Sequence, residues 1–192
     1  MSAPTPGYAI NREESYIYEA RTEVFNSLYE YLLFQLNISP LNRCQQMIGK
    51  YILCNIDDNG YLLMLPGTIA AKLNLPTEDV AEVLAMIHGF DPPGVGSINL
   101  KECLILQLDR EHPHYEALKE IISNQLELVA SNRVPQIAKK MRLPLDTVSQ
   151  LVETIRSLDP RPGSSWGGGE KAEYVVPDVT VKKVDGEWVI VL

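Results

Sequence analysis

Residues that form covalent cross-links or metal sites are scarce in this sequence. Three cysteines and three histidines occur among 192 residues, and no Cys-x-x-Cys or mixed Cys/His spacing typical of a zinc site is present. Cys44 and Cys54 lie ten positions apart in one predicted helix, which separates them by about 15 Å, too far for a disulfide bond. We therefore expect no disulfide, no metal and no cofactor, and we expect these two cysteines and Cys103 to be small packing residues.

Long apolar runs and targeting signals are also missing. No segment approaches the roughly 18 consecutive apolar residues of a transmembrane helix, and the N-terminus lacks the basic start and apolar core of a secretory signal. The content of 45% hydrophobic and 22% charged residues is that of an ordinary globular protein. These features predict a soluble, cytoplasmic protein that makes no membrane contact.

Positively charged residues are outnumbered by negatively charged ones, and the formal net charge is −8. Sequence-independent binding to nucleic acid requires lysine and arginine to neutralise phosphates, so this balance disfavours it. Residues 1–112 carry 7 Lys+Arg against 14 Asp+Glu, whereas residues 113–166 carry 7 against 6. The first part is therefore expected to repel DNA, and the second part is nearly neutral.

No arrangement of side chains typical of a catalytic site is present. Residues 55–60 imitate the opening of a calcium loop, but Pro66 occupies the position that needs a bidentate glutamate, so the pattern predicts a turn. The glycines at 167–169 neither follow a predicted strand nor precede a predicted helix, which disfavours a phosphate-binding loop. We therefore expect a protein-interaction module and not an enzyme.

One segment of the chain occurs twice, 68 residues apart. Residues 68–92 and 136–160 align without a gap, share nine identical positions, and otherwise mostly set apolar residues opposite apolar residues. The identical pairs are Ile69/Ile137, Ala70/Ala138, Lys72/Lys140, Leu75/Leu143, Pro76/Pro144, Val80/Val148, Ile87/Ile155, Asp91/Asp159 and Pro92/Pro160. Such a match predicts two copies of one unit, each a pair of helices joined by a tight turn.

Each copy has the spacing of a helix-turn-helix, a motif whose second helix can read DNA. In the first copy that helix begins with Thr77, Glu78 and Asp79, whose carboxylates would face phosphates. The second copy is less acidic, and two interpretations stay open for it: a packing or protein-contact element, which is favoured, and a DNA-binding regulator. Its possible DNA-proximal residues are Lys139, Lys140, Arg142, Arg156 and Arg161.

The patterning predicts a mainly α fold with two helical subdomains. We expect a flexible leader over residues 1–12, a first subdomain over 13–112 and a second over 113–160. A Pro/Gly/Ser-rich linker over 161–173 and the start of a further, truncated domain over 174–192 are expected to follow. Within the first subdomain, apolar residues at four-residue spacing predict a helix over 13–36. A second helix is expected to begin with Ser39 as its N-cap and Pro40 at its first position.

A short β-hairpin is expected in the last segment, around the favoured two-residue turn Asp185-Gly186. In that register Val181 faces Ile190 and Lys183 faces Trp188, so that one face is mostly apolar. A lone hairpin is marginal in water. We therefore interpret this segment as the beginning of a domain that continues beyond the chain.

Several segments resemble the core-binding region of the sigma-54 family of bacterial RNA polymerase sigma factors. In chain order they read IDDNGYL at 56–62, FDPPGVG at 90–96, LKECL at 100–104 with QL at 107–108, IRSLDPRPG at 155–163 and YVVPDV at 174–179. The resemblance extends over residues 24–192. It implies a helical domain of two subdomains that docks onto core RNA polymerase, in a holoenzyme that needs an ATP-driven activator to open promoter DNA.

The resemblance also implies regions that this chain lacks. Family members carry a glutamine-rich N-terminal region that contacts the activator, and a C-terminal helix-turn-helix with a basic motif that reads the promoter. We therefore expect a fragment or truncated relative that binds polymerase without initiating transcription, and that meets promoter DNA only as part of a full-length holoenzyme. Contact with the activator ATPase is expected only through the missing N-terminal region. Where the family usually has Ala-Arg-Asp-Leu, this chain has Ser97-Ile98-Asn99-Leu100, which keeps a capping residue but loses the arginine.

We hypothesise that two turns of the first subdomain contact the polymerase, because they carry surface-type residues that packing alone does not require. The hypothesis covers Asp57, Asp58, Asn59, Gly60 and Tyr61 in one turn, and Phe90, Asp91, Pro92, Pro93, Gly94, Val95 and Gly96 in the other.

Overall fold

The computed structural model describes residue 25, residues 27–166, and the two strands at 180–184 and 187–191. Within these ranges the chain is mainly helical, as predicted. The elements are α1 Leu28–Ile38, α2 Arg43–Leu53, α3 Pro66–Leu73, α4 Thr77–Ile87, α5 Leu100–Leu106, α6 Tyr115–Ala130, α7 Val134–Met141, α8 Leu145–Arg156, β1 Thr180–Val184 and β2 Glu187–Val191. None of the helices described is long and apolar enough to cross a membrane. The leader predicted over 1–12 lies outside the described residues.

Side-chain caps decide where the first two helices begin. Ser27 accepts a hydrogen bond from the backbone N–H of Glu30 at the start of α1. Asn42 and Gln45 form a reciprocal capping box at the start of α2, so the predicted start at Ser39 is wrong. The box satisfies two backbone donors at once, whereas the Ser39 hydroxyl instead donates to the backbone oxygen of Gln35.

The three cysteines differ in their surroundings. Cys103 on α5 is buried, as expected, but Cys44 and Cys54 are exposed. The packing prediction is wrong for this pair because α2 buries the face that carries Ile48 and Ile52. Cys44, in the first turn of α2, and Cys54, at its C-cap, remain accessible to solvent.

The helices enclose two hydrophobic clusters. Helices α1 to α4 surround the first, in which Leu32, Leu36 and Ile52 are almost completely buried. Helices α6 to α8 form most of the second cluster, which also includes Leu104 and Leu108. Helix α5 therefore packs with the second half of the chain, although it precedes residue 113.

Helices α3 and α4 are joined by the same kind of turn as helices α7 and α8. Asn74 and Arg142 end the first helix of each pair in the left-handed conformation, with φ of 54° and 55°. Pro76 and Pro144 then occupy the N-cap positions of α4 and α8. Thr77 is therefore the first helical residue of α4, as expected.

The C-terminal part of the chain is described over two ranges. Residues 161–166, the start of the predicted linker, form turns, and Trp166 packs against the first hydrophobic cluster. Strands β1 and β2 pair antiparallel, with Val181 opposite Ile190 and Lys183 opposite Trp188. Residues 167–179, 185–186 and 192 lie outside the described part of the chain.

Candidate functional site

The first predicted turn, 57–61, is held by the side chain of its own first residue. Asp57 Oδ1 accepts hydrogen bonds from the backbone N–H groups of Asn59 at 3.0 Å and Tyr61 at 2.7 Å. Gly60 adopts φ of 93°, a conformation that favours glycine. The Asp57 carboxylate therefore shapes the turn, and Asp58 is the exposed carboxylate beside it.

The second predicted turn, 90–96, is fastened to helix α1. Gln35 Nε2 donates to the backbone oxygen of Asp91 at 2.6 Å, and the Asp91 N–H donates to Gln35 Oε1 at 2.9 Å. The Tyr31 hydroxyl donates to Asp91 Oδ2 at 2.7 Å. The peptide bond between Asp91 and Pro92 is cis. The turn is therefore anchored at its single aspartate, Asp91, by two side chains of one helix.

The structure brings these two turns together. The Gly96 N–H donates to the Gly60 oxygen at 2.8 Å, and the Leu62 N–H donates to the Ser97 oxygen at 2.9 Å. Of the twelve predicted residues, Asp58 and Pro93 are exposed and five are half-buried, namely Asp57, Asn59, Tyr61, Phe90 and Asp91. The buried members are Gly60, Pro92, Gly94, Val95 and Gly96. Buried members determine the shape of the surface, while the others can touch a partner.

Residues 159–166, which we call the strap, cross the first turn. The Gly163 N–H donates to the Asn59 oxygen at 3.0 Å, and the Tyr61 hydroxyl donates to the Pro160 oxygen at 2.5 Å. The Trp166 ring stacks on Tyr31 with centroids 4.7 Å apart. A Cβ at Gly163 would lie 2.5 Å from the Asp58 oxygen, so only glycine allows this approach. The sequence predicts the end of the second subdomain at residue 160 and a linker from residue 161, and it gives no sign of these contacts.

A second glutamine fastens the beginning of the strap. Gln107 Nε2 donates to the Asp159 oxygen at 2.7 Å, and the Asp159 N–H donates to Gln107 Oε1 at 2.8 Å. The sequence gives neither glutamine a role in the site, although Gln107 lies in a segment that carries the family resemblance, because a polar residue at the edge of an amphipathic helix is ordinarily expected to be solvated. Three segments distant in sequence thus form one junction.

The electrostatics of this junction favour neutral groups. Burial, with smaller contributions from neighbouring Cys103 and Asp57, raises the pKa of Tyr61 to about 12, so its hydroxyl remains a hydrogen-bond donor. Burial also raises the pKa of the Cys103 thiol, which disfavours a reactive thiolate. A cavity of about 80 Å³ at the junction is lined in part by Asp57, Asp58 and Trp166, and it is large enough to hold water molecules. Over the described ranges, no three His, Cys, Asp or Glu side chains are grouped to hold a metal ion.

The possible DNA-proximal cations are all exposed but do not form one cluster along the chain. Lys139, Lys140 and Arg142 lie at the C-terminal end of α7. Arg156 ends α8, where it pairs with a neighbouring glutamate side chain at 3.2 Å, and Arg161 belongs to the strap. The structure therefore places three of the five cations at one helix end and the other two elsewhere.

The chain is similar in sequence to one family of known proteins. Residues 17–192 match the family described as "Sigma-54 factor, core binding domain". The RNA polymerase sigma-54 factor of Pseudomonas aeruginosa (strain UCBPP-PA14) is 37% identical over 191 residues, covering 95% of this chain and 38% of that protein. The RNA polymerase sigma-54 factor of Escherichia coli (strain K12) is 34% identical over 186 residues, covering 94% and 38%. RNA polymerase sigma-54 factor 1 of Bradyrhizobium diazoefficiens is 34% identical over 177 residues, covering 92% and 36%.

The chain thus spans between 36% and 38% of the length of these relatives. The family match extends over most of the chain and includes both predicted turns and the strap. This protein belongs to the sigma-54 family, and what it represents of that family is the core-binding domain.

Proposed function

We propose that this chain acts as a transcription initiation factor module, not an enzyme, and that it docks onto core RNA polymerase in the cytoplasm. The observation that carries the proposal is the junction of the two turns and the strap. Backbone hydrogen bonds between Gly60 and Gly96, and between Asn59 and Gly163, make one continuous surface from three distant segments. A rigid surface of this kind binds without a large cost in conformational entropy.

The proposed contact residues are those of the junction that solvent reaches. Asp58 and Pro93 are exposed, and the half-buried Asn59, Tyr61 and Phe90 present their edges. Residues 1–112 carry 14 Asp+Glu against 7 Lys+Arg, so we expect a basic patch on the polymerase and an association rate that falls with added salt. The buried glycines and prolines of the turns contribute shape and not direct contact.

We also propose two subdomains built on a duplicated helix pair. The matching turns at Asn74 and Arg142 and the matching caps at Pro76 and Pro144 support a duplication. Because Leu104 and Leu108 join the second hydrophobic cluster, the boundary fits better near residue 99 than at residue 113. A further domain beginning near residue 174, with β1 and β2 as its first hairpin, remains part of this proposal.

A charge-reversal experiment tests the docking surface. In a Cys54→Ser background, which leaves Cys44 as the exposed cysteine, the chain is labelled with a fluorophore at Cys44, and its affinity for core RNA polymerase is measured by fluorescence anisotropy. Asp58→Arg is expected to weaken binding about tenfold, since a rim charge that becomes repulsive costs on the order of 1.4 kcal/mol or more. Glu127→Arg, an equal charge change at an exposed position of α6, is the matched control and should bind normally. If both variants bind with the same affinity as the wild type, Asp58 is not part of the docking surface.

The alternative, a DNA-binding regulator, is less well supported. Lys139, Lys140 and Arg142 offer exposed positive charge, but the second helix of that pair, α8, carries Asp146 in its first turn. A carboxylate there opposes phosphate contact. Binding of this chain to duplex DNA without polymerase, with affinity rising steeply as salt falls, would favour the alternative.

A further inference from the structure

Helices α1 and α5 have related sequences. Both lie outside the repeat of residues 68–92 and 136–160. At an offset of 72 residues, LYEYLLFQLNI in α1 aligns with LKECLILQLDR over residues 100–110. The identical pairs are Leu28/Leu100, Glu30/Glu102, Leu32/Leu104, Gln35/Gln107 and Leu36/Leu108. The helices also begin alike, because Ser27 accepts from the Glu30 N–H at 3.2 Å and Asn99 accepts from the Glu102 N–H at 3.0 Å.

The two glutamines of this alignment make the same contact. Gln35 brackets the backbone of Asp91 with hydrogen bonds of 2.6 and 2.9 Å. Gln107 brackets the backbone of Asp159 with hydrogen bonds of 2.7 and 2.8 Å. Each amide donates to the carbonyl and accepts from the N–H of one aspartate, and each aspartate precedes a proline after the last helix of a pair. We call this arrangement the glutamine clamp.

Packing follows the same order in both halves. Helix α1 packs on α2, α2 on α4, and α3 on α4; equivalently, α5 packs on α6, α6 on α8, and α7 on α8. The second half adds a contact between α6 and α7 that has no counterpart of comparable extent between α2 and α3. The repeated unit is therefore larger than a helix pair. It consists of four helices closed by a clamped Asp-Pro, over residues 27–92 and 99–160.

The chain takes a different course after each of the two clamps. After Pro92 the chain continues through turn 90–96, which bonds to the same unit at Gly60, whereas after Pro160 it crosses to the other unit and lies on turn 57–61. Between α2 and α3 the first unit has the long connection that contains turn 57–61, while residues 131–133 alone join α6 to α7. The clamp at Asp159 therefore directs the strap onto turn 57–61 of the first unit, and the second unit has no equivalent of this turn.

We propose that Gln35 and Gln107 are equivalent clamp residues of a duplicated four-helix unit. Gln107 is in addition a positioning residue, which fixes Asp159 and so directs the strap onto turn 57–61, completing the docking surface. This second role rests on the proposed binding to core polymerase. The clamp itself acts within the chain and can be measured without any partner.

Hydrogen exchange on the whole chain tests the clamp. Methionine matches glutamine in length but cannot bracket a peptide group, so Gln35→Met and Gln107→Met are the informative variants. Gln136→Met, at an exposed position of α7, is the control. Loss of the acceptor should speed exchange of the Asp91 amide in Gln35→Met, and of the Asp159 amide in Gln107→Met, each by about tenfold or more. Gly163, whose N–H reaches Asn59, should also exchange faster in Gln107→Met, while the amides of α6 to α8 stay protected. Unchanged protection of Asp159 and Gly163 would overturn the proposal.

Binding to core polymerase tests the positioning role of Gln107 separately from the clamp itself. We expect Gln107→Met to bind about five- to tenfold more weakly than the wild type and the Gln136→Met control. If the strap loosens but affinity is unchanged, Gln107 does not position the docking surface, and that role is overturned. If the wild type fails to bind polymerase, the proposed function falls, and the exchange data still decide whether the clamps are equivalent.

Discussion

The close approach of the strap to turn 57–61 predicts a large effect from one methyl group, in the variant Gly163→Ala. A Cβ at this position would lie 2.5 Å from the Asp58 oxygen, 2.7 Å from the Gly60 nitrogen and 2.8 Å from the Asn59 carbonyl carbon. All three are backbone atoms and cannot rotate away. The strap must therefore move off the turn, losing the hydrogen bond from Gly163 to Asn59.

The magnitude follows from two costs and one gain. Overpacking a close contact costs about 1–3 kcal/mol, and a lost hydrogen bond costs about 0.5–1.5 kcal/mol. Alanine lowers the conformational entropy of the unfolded chain relative to glycine, and this stabilises the folded state by about 0.4–1 kcal/mol. The expected net loss is about 2 kcal/mol, or a fall in Tm of about 4–8 °C for a chain of this size. If the strap instead detaches entirely, the loss is limited to its own docking free energy.

Thermal unfolding and tryptophan fluorescence together measure this effect. A Trp188→Phe background leaves Trp166 as the remaining tryptophan, and its stacking on Tyr31 makes it a reporter of strap docking. Gly67→Ala is the matched control, because a Cβ there meets nothing within 4 Å and alanine is a better helix former than glycine. A Gly163→Ala variant with unchanged Tm and unchanged Trp166 emission would refute the close approach on which the account of the strap depends.

Two further predictions concern the chemistry of single groups. The raised pKa of Tyr61, about 12 against 10 in the unfolded chain, stabilises the fold fully below pH 10, and this contribution is lost as pH rises towards 12. The midpoint of urea unfolding should therefore fall less steeply over this interval in Tyr61→Phe than in the wild type. A slope equal to that of the wild type would show that the phenol is not shielded. In the native protein, Cys44 and Cys54 should react quickly with a thiol reagent, whereas Cys103 should react only after unfolding, because it is buried. Absorbance titration with Ellman's reagent counts the thiols, and three fast equivalents would contradict the burial of Cys103.

The helical architecture was predictable because local signals specify it. Apolar spacing locates the paired helices, and the repeat at an offset of 68 residues places Pro76 and Pro144 at equivalent positions. Start positions were less predictable, because Ser39 and Asn42 both have capping side chains. The choice between them depended on the partner three residues later, Gln45.

The junction could be predicted only in part, because it is built from contacts distant in sequence. Both turns were identified as a candidate surface, but nothing local indicates that Gly60 and Gly96 form a hydrogen bond. The Pro/Gly/Ser composition from residue 161 onwards predicts a linker, although Gly163 in that stretch packs closely against turn 57–61. The glutamine clamps could not be predicted, because a single Gln at the edge of a helix adds nothing to the hydrophobic periodicity.

The measurement that tests the central claim most directly is competition for core RNA polymerase. The labelled chain is bound to purified core enzyme, and a full-length sigma-54 factor is added at increasing concentration. If the chain docks as proposed, its binding is saturable, the full-length factor displaces it completely, and Asp58→Arg binds more weakly than Glu127→Arg. Absence of binding by a chain whose helices are intact by circular dichroism, or binding that the full-length factor does not displace, would contradict the proposed docking.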